Sequence, residues 1–105
     1  PLSSRQLKRI CKRMSVSLSR LGSHLGNGSG DIVIGFSTAN VIPHYSEADI
    51  INVKKIHENK IDTVFRASIE ACEDAIMTSL LCNETLLGRD GNTRLSLKDT
   101  LNKII

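Results

Sequence analysis

Ser29 and Asp31 stand two residues apart and carry a hydroxyl and a carboxylate to the mouth of the apolar run Ile32-Val33-Ile34-Gly35-Phe36. If an extended register reaches back to them, side chains at that spacing project to one side and could act together on a single group. Gly28 and Gly30 flank Ser29 and remove Cβ bulk, so another backbone or a substrate can approach closely. Ser-Gly-Asp beside a strand is equally ordinary loop chemistry. A nucleophilic centre would also need a base at a defined spacing and an oxyanion hole, and only the isolated His24 is near.

The other reactive side chains are less organised. His24, His44 and His57 lack metal-ligand spacing and read as surface or packing histidines, so no metal or other cofactor is expected. Cys11, Cys72 and Cys82 are odd in number and form no close pair, which argues against a disulfide framework or a cysteine zinc site and favours a reducing compartment. Cys11 and Cys72 fall on apolar helix faces and are expected as buried thiols rather than nucleophiles. Pro1 as an amino-terminal base is disfavoured because a helical pattern follows it. Arg89 and Asp90 belong to the turn cluster Gly88-Arg89-Asp90-Gly91-Asn92-Thr93 and should be exposed.

The elements that must position these groups are read from periodicity. Leu7, Ile10, Cys11, Met14, Leu18 and Leu21 recur at steps of three and four, predicting an amphipathic helix from about Ser4 to Leu21, with Gly22 as its stop. Ser23 to Gly30 reads as a loop. Ile32 to Phe36 reads as a buried strand and Ile50 to Ile56 as a second, weaker one, with an irregular connection over Pro43 to Glu47. Val64, Phe65, Ile69, Cys72, Ile76 and Leu80 mark a long helix over Asp62 to Leu81, and Ser96 caps a short final helix ending near Ile105.

A chain of 105 residues is at most one domain, and 40% hydrophobic content is at the lower edge of what an ordinary core needs. With Phe36, Tyr45 and Phe65 as its aromatics, the core must be aliphatic, which leaves room for completion by another chain or segment. A start at Pro1 fits a trimmed chain or a piece of a longer precursor. The net charge of +3 is unevenly spread: Arg5, Lys8, Arg9, Lys12, Arg13 and Arg20 lie in a first helix region without a single acid. That helix could bind phosphate backbones or an anionic membrane; the plainer reading is a solvated face, and no zinc motif or helix-turn-helix spacing accompanies it. No run is long enough for a membrane span and no signal peptide is visible at the start, so a soluble, cytoplasmic chain is expected.

Several segments in order resemble one family. Leu2-Ser3-Ser4-Arg5-Gln6-Leu7-Lys8-Arg9, Arg20-Leu21-Gly22-Ser23, Asn27-Gly28-Ser29-Gly30-Asp31-Ile32 and Phe36-Ser37-Thr38-Ala39-Asn40 are followed by Phe65-Arg66-Ala67-Ser68-Ile69-Glu70-Ala71, Glu73-Asp74-Ala75-Ile76 and Gly88-Arg89-Asp90-Gly91-Asn92. Together they resemble the carboxy-terminal part of DmpA-type aminopeptidases, the group that includes the β-peptidyl aminopeptidases. The resemblance covers essentially the whole chain.

It implies an α/β chain, residues 1–105 forming one carboxy-terminal fragment of an α-β-β-α layered sandwich to which it gives strands and outer helices. In that family a precursor cuts itself before a serine, which becomes both an amino terminus and the nucleophile of amide or ester hydrolysis. That serine is expected shortly upstream of Pro1; Ser3 and Ser4 match the helical segment instead. The resemblance gives Ser29 and Asp31 the serine and acidic positions of the supporting polar network. Where some members carry glutamate, Asp31 is a methylene shorter. The implied partners are the rest of the precursor or larger subunit, a homo-oligomer of paired subunits, and a peptide or amide substrate, with no nucleic acid and no membrane. The rivals are a non-catalytic relative serving as a scaffold or binding module, and a nucleic-acid-binding module using the basic helix.

Overall fold

The structure, a computed structural model, describes residues 1–105. Helix α1 spans Ser4–Arg20, α2 spans Ile61–Cys82 and α3 spans Leu97–Ile104; between α2 and α3 a two-residue hairpin pairs β1 (Leu86–Leu87) with β2 (Thr93–Arg94). This is a mixed helical chain with one small antiparallel sheet, in the register Leu86 opposite Arg94 and Leu87 opposite Thr93.

Local chemistry sets the helix ends. Ser3 accepts the Gln6 N–H while the Gln6 side chain accepts the Ser3 N–H, a reciprocal cap that satisfies two otherwise orphaned donors. At the other end Gly22 takes φ 97°, and the N–H groups of Gly22 and Ser23 donate to the carbonyls of Ser19 and Leu18. A left-handed residue just past the helix is the role glycine fills best, so the expected stop at Gly22 is met. Ser96 caps α3 by accepting the Asp99 N–H, and Thr85 donates to the Asp99 carboxylate while accepting the Ser96 N–H. These bonds, that from Thr85 foremost, hold the Asp99 carboxyl below its ordinary pKa.

The two long helices pack through a mixed polar and apolar seam. Ile61 and Phe65 are the buried apolar side chains, and Gln6 and Ser17 are fully enclosed. Ser17 Oγ donates to the Ile69 carbonyl at 2.8 Å, so a small side chain at the crossing lets the helices approach and still satisfies its hydroxyl. The Arg13 guanidinium lies 3.6 Å from the Phe65 ring centroid, covering it with an apolar stem and a cation at once.

A tighter cluster ties the far end of the connection to α1. Gln6 Nε2 donates to the Ile56 carbonyl at 2.8 Å and to Glu58 Oε1 at 2.9 Å, and Glu58 pairs with Arg5 and with Arg9. Hydrogen bonding from Gln6, then the two guanidiniums, keeps the Glu58 carboxyl below the usual carboxylate range.

The two expected strands are the main correction. Neither residues 32–36 nor residues 50–56 form a strand; the chain from Gly22 to His57 carries no regular element. A strand is defined by a partner ladder, and these segments have none: Ile32, Ile34 and Phe36 are 90%, 85% and 81% exposed. Segment 50–56 makes one isolated backbone bond, from the Ile56 N–H to the Pro1 carbonyl at 2.8 Å, and its other partners are side chains. Asn40 donates to the Lys54 carbonyl at 2.7 Å and accepts its N–H at 2.8 Å, as a neighbouring strand would. The irregular stretch over Pro43 to Glu47 and the exposed Arg89-Asp90 turn stand as expected, Asp90 and Gly91 both at positive φ.

Candidate functional site

The loop after α1 folds back on the helix through a tight turn. Leu25 takes φ 53°, and both the N–H and the hydroxyl of Ser29 donate to the Gly26 carbonyl at 3.2 Å. Beyond it the chain runs along α1, exposed throughout, with Val33 less so than Ile32 and Ile34 on either side. Ser29, Asp31 and Val33 turn toward α1, while Ile32, Ile34 and Phe36 turn away. The expected common projection of Ser29 and Asp31 is therefore present although the strand is not.

Both residues line one half-open cavity of about 280 Å³, closed on the helix side by Cys11, Ser15 and Leu18 and at the turn by Leu25. Cys11, Ser15 and Leu18 are four and three residues apart and so share a helix face. The serine hydroxyl is committed to a long bond with Gly26; the Asp31 carboxylate makes no hydrogen bond or ion pair within the chain. What this arrangement offers is an anionic acceptor and a rotatable hydroxyl on the same wall, open to a group arriving from outside. Two further hollows, of about 210 and 300 Å³, contain no carboxylate, thiol or histidine.

The remaining sequence candidates fall elsewhere. The His24 ring lies against Gly26, His44 packs edge-on to Tyr45, and His57 accepts the Asn59 N–H. Cys11 and Cys72 are half-buried rather than buried, because the helix faces that carry them are only partly covered, and Cys82 is exposed. Of the basic residues on α1, Arg5 and Arg9 pair with Glu58, Arg13 lies on Phe65 and Arg20 pairs with Glu73 at 3.1 Å. Lys8 and Lys12 have no acidic partner, so four of the six basic residues are engaged within the chain, at its surface. Ser15 and Leu25 were not singled out in the sequence; Ser15 was legible in hindsight only as the step from Cys11 to Leu18. No helix is long and apolar enough to cross a membrane.

The model of peptidase family S58 matches residues 1–94. A β-peptidyl aminopeptidase, BapA, of Sphingosinicella microcystinivorans is 38% identical over 93 residues, which are 89% of this chain and 24% of that protein. Its namesake in Sphingosinicella xenopeptidilytica is 30% identical over 89 residues, 84% of this chain and 22% of that one. Among solved structures, the PH0078 protein of Pyrococcus horikoshii OT3 superimposes with a TM-score of 0.84 at 47% identity, covering 99% of this chain and 30% of its own. The chain belongs to peptidase family S58, the DmpA-type aminopeptidases. It spans about a quarter of the length of the curated relatives it matches.

Proposed function

We propose that this chain is the carboxy-terminal part of a self-cleaving serine aminopeptidase or amidase, and that Ser29 and Asp31 support a nucleophilic serine carried on a segment preceding Pro1. Within the parent it contributes strands and outer helices to an α-β-β-α layered sandwich, its partners being the rest of the precursor and further copies in a multimer of paired subunits. The reaction is release of an amino-terminal residue from short peptides, amides or esters, with β-peptides in range because that is what the named relatives act on. What supports this reading most is the shared cavity face of Ser29 and Asp31, with the Asp31 carboxylate unpaired in a chain of this family.

The chemistry is that of an amino-terminal nucleophile. A free α-amine has an unperturbed pKa of about 8, suited to accept the proton of its own serine hydroxyl near neutrality. A carboxylate close by favours the protonated amine and so strengthens it as a base, while a second hydroxyl orients the nucleophile. The serine oxygen attacks the substrate carbonyl, its proton passes through the amine to the leaving nitrogen, and water then cleaves the ester. Asp31 and Ser29 hold and tune; neither is the attacking atom.

The test is the intact mass and amino-terminal sequence of the matured subunit purified from full-length protein. A start at a serine a short strand's length before Pro1 is the expected result. A single uncut chain without amidase activity would point to a non-catalytic relative.

A further inference from the structure

At Gly35 the loop backbone approaches α1 closely. A methyl group added there would lie 2.7 Å from Cys11 Sγ and 3.8 Å from a terminal carbon of Leu7. Ordinary contact between such atoms is about 3.5–4.0 Å, so the alanine side chain would need roughly 1 Å that the interface does not have. Gly35 belongs to the same alternating set as Ser29, Asp31 and Val33, and Cys11 is also a wall of the cavity those residues line. Cys11 therefore meets this segment both at the cavity and at Gly35.

We infer that the Gly35–Cys11 contact pins the segment carrying Ser29 and Asp31 to α1, making Gly35 and Cys11 positioning residues for the reaction; this rests on the catalytic reading of Ser29 and Asp31. The physical case is geometric. The segment has no strand partner within the chain to hold its height above the helix, and its outward side chains are solvent-exposed. What remains is the inward face, where Gly35 permits a close approach that a side chain would disturb unless the Cys11 thiol turned aside. Lifting the backbone there displaces Val33 two residues away and, through it, Asp31, because no ladder bond anchors either independently. A displacement near 1 Å at a reacting site costs on the order of 100-fold in rate.

The experiment uses full-length protein and steady-state hydrolysis of a β-amino-acid amide, with kcat and KM separated and thermal unfolding recorded in parallel. Gly35→Ala should lower kcat by about 10- to 100-fold, with a smaller change in KM. Trimming the opposing atom should relieve it: Gly35→Ala with Cys11→Ala should be at least several-fold faster than Gly35→Ala alone. Cys11→Leu, which crowds the same contact from the helix side, should reproduce the loss without touching the loop, and covers the case in which Gly35→Ala does not fold. Wild-type kcat in both Gly35→Ala and Cys11→Leu, with Ser29→Ala and Asp31→Ala impaired, means that Cys11 rotates aside, and it overturns the pin alone. Failure of the double variant to recover also overturns it. Wild-type rates in Ser29→Ala and Asp31→Ala overturn the catalytic reading instead.

Discussion

Glu58 carries more of the local order than any other charged residue, because one carboxylate accepts from Gln6 and pairs with Arg5 and Arg9 on a single helix face. Its folded-state pKa is lowered, with the Gln6 hydrogen bond as first cause. The sign follows from proton linkage. A depressed carboxyl contributes stability that is fully present above its ordinary range of about 4 and is lost as pH falls through the lower folded value. Glu58→Gln should therefore flatten the acid limb of the stability curve of the full-length protein while leaving its neutral-to-alkaline shape alone; equal acid slopes for the two proteins would refute the assignment. Ser29 and Asp31 were legible because their spacing is local. The Glu58 cluster was not, since it joins residues about fifty positions apart whose meeting no periodicity encodes.

At the scale of elements, helices were readable and strands were not, for one physical reason. α1 and α2 close their hydrogen bonds within themselves, so an apolar stripe marks both, and Gly22 marks the end of α1. Residues 32–36 and 50–56 have the apolar and β-branched content of strands, but a strand needs a neighbour, and the chain offers only isolated partners: the Asn40 side chain to Lys54, and Pro1 and Gln6 to Ile56. The helix pair rests on few buried groups, which sharpens what single changes do. Phe65 is 5% exposed under Arg13, so Phe65→Ala should cost about 3 kcal/mol in full-length protein, measured by urea unfolding. A cost below about 0.5 kcal/mol, the range of ordinary surface changes, would mean that the seam is not where stability resides.

The whole molecule is extended, 62 × 33 × 26 Å with a radius of gyration of 19.5 Å, against about 13 Å for a compact domain of this length. Many of its large apolar side chains are exposed, Ile32, Ile34 and Phe36 among the most so. On the proposed reading, the side of the chain that carries these three would seat the remaining part of the parent. Phe36→Ala, a change at an 81% exposed position here, should then cost the full-length protein about 3 kcal/mol, as a core truncation does. A change within about 0.5 kcal/mol would mean the side chain stays in solvent. The most direct test of the account is turnover and self-cleavage of full-length Ser29→Ala and Asp31→Ala beside the parent sequence. Each should fall by on the order of 100-fold or more in at least one of the two reactions, with folding retained, as for loss of a group that acts in proton handling. Parent rates in both reactions for both variants would contradict it.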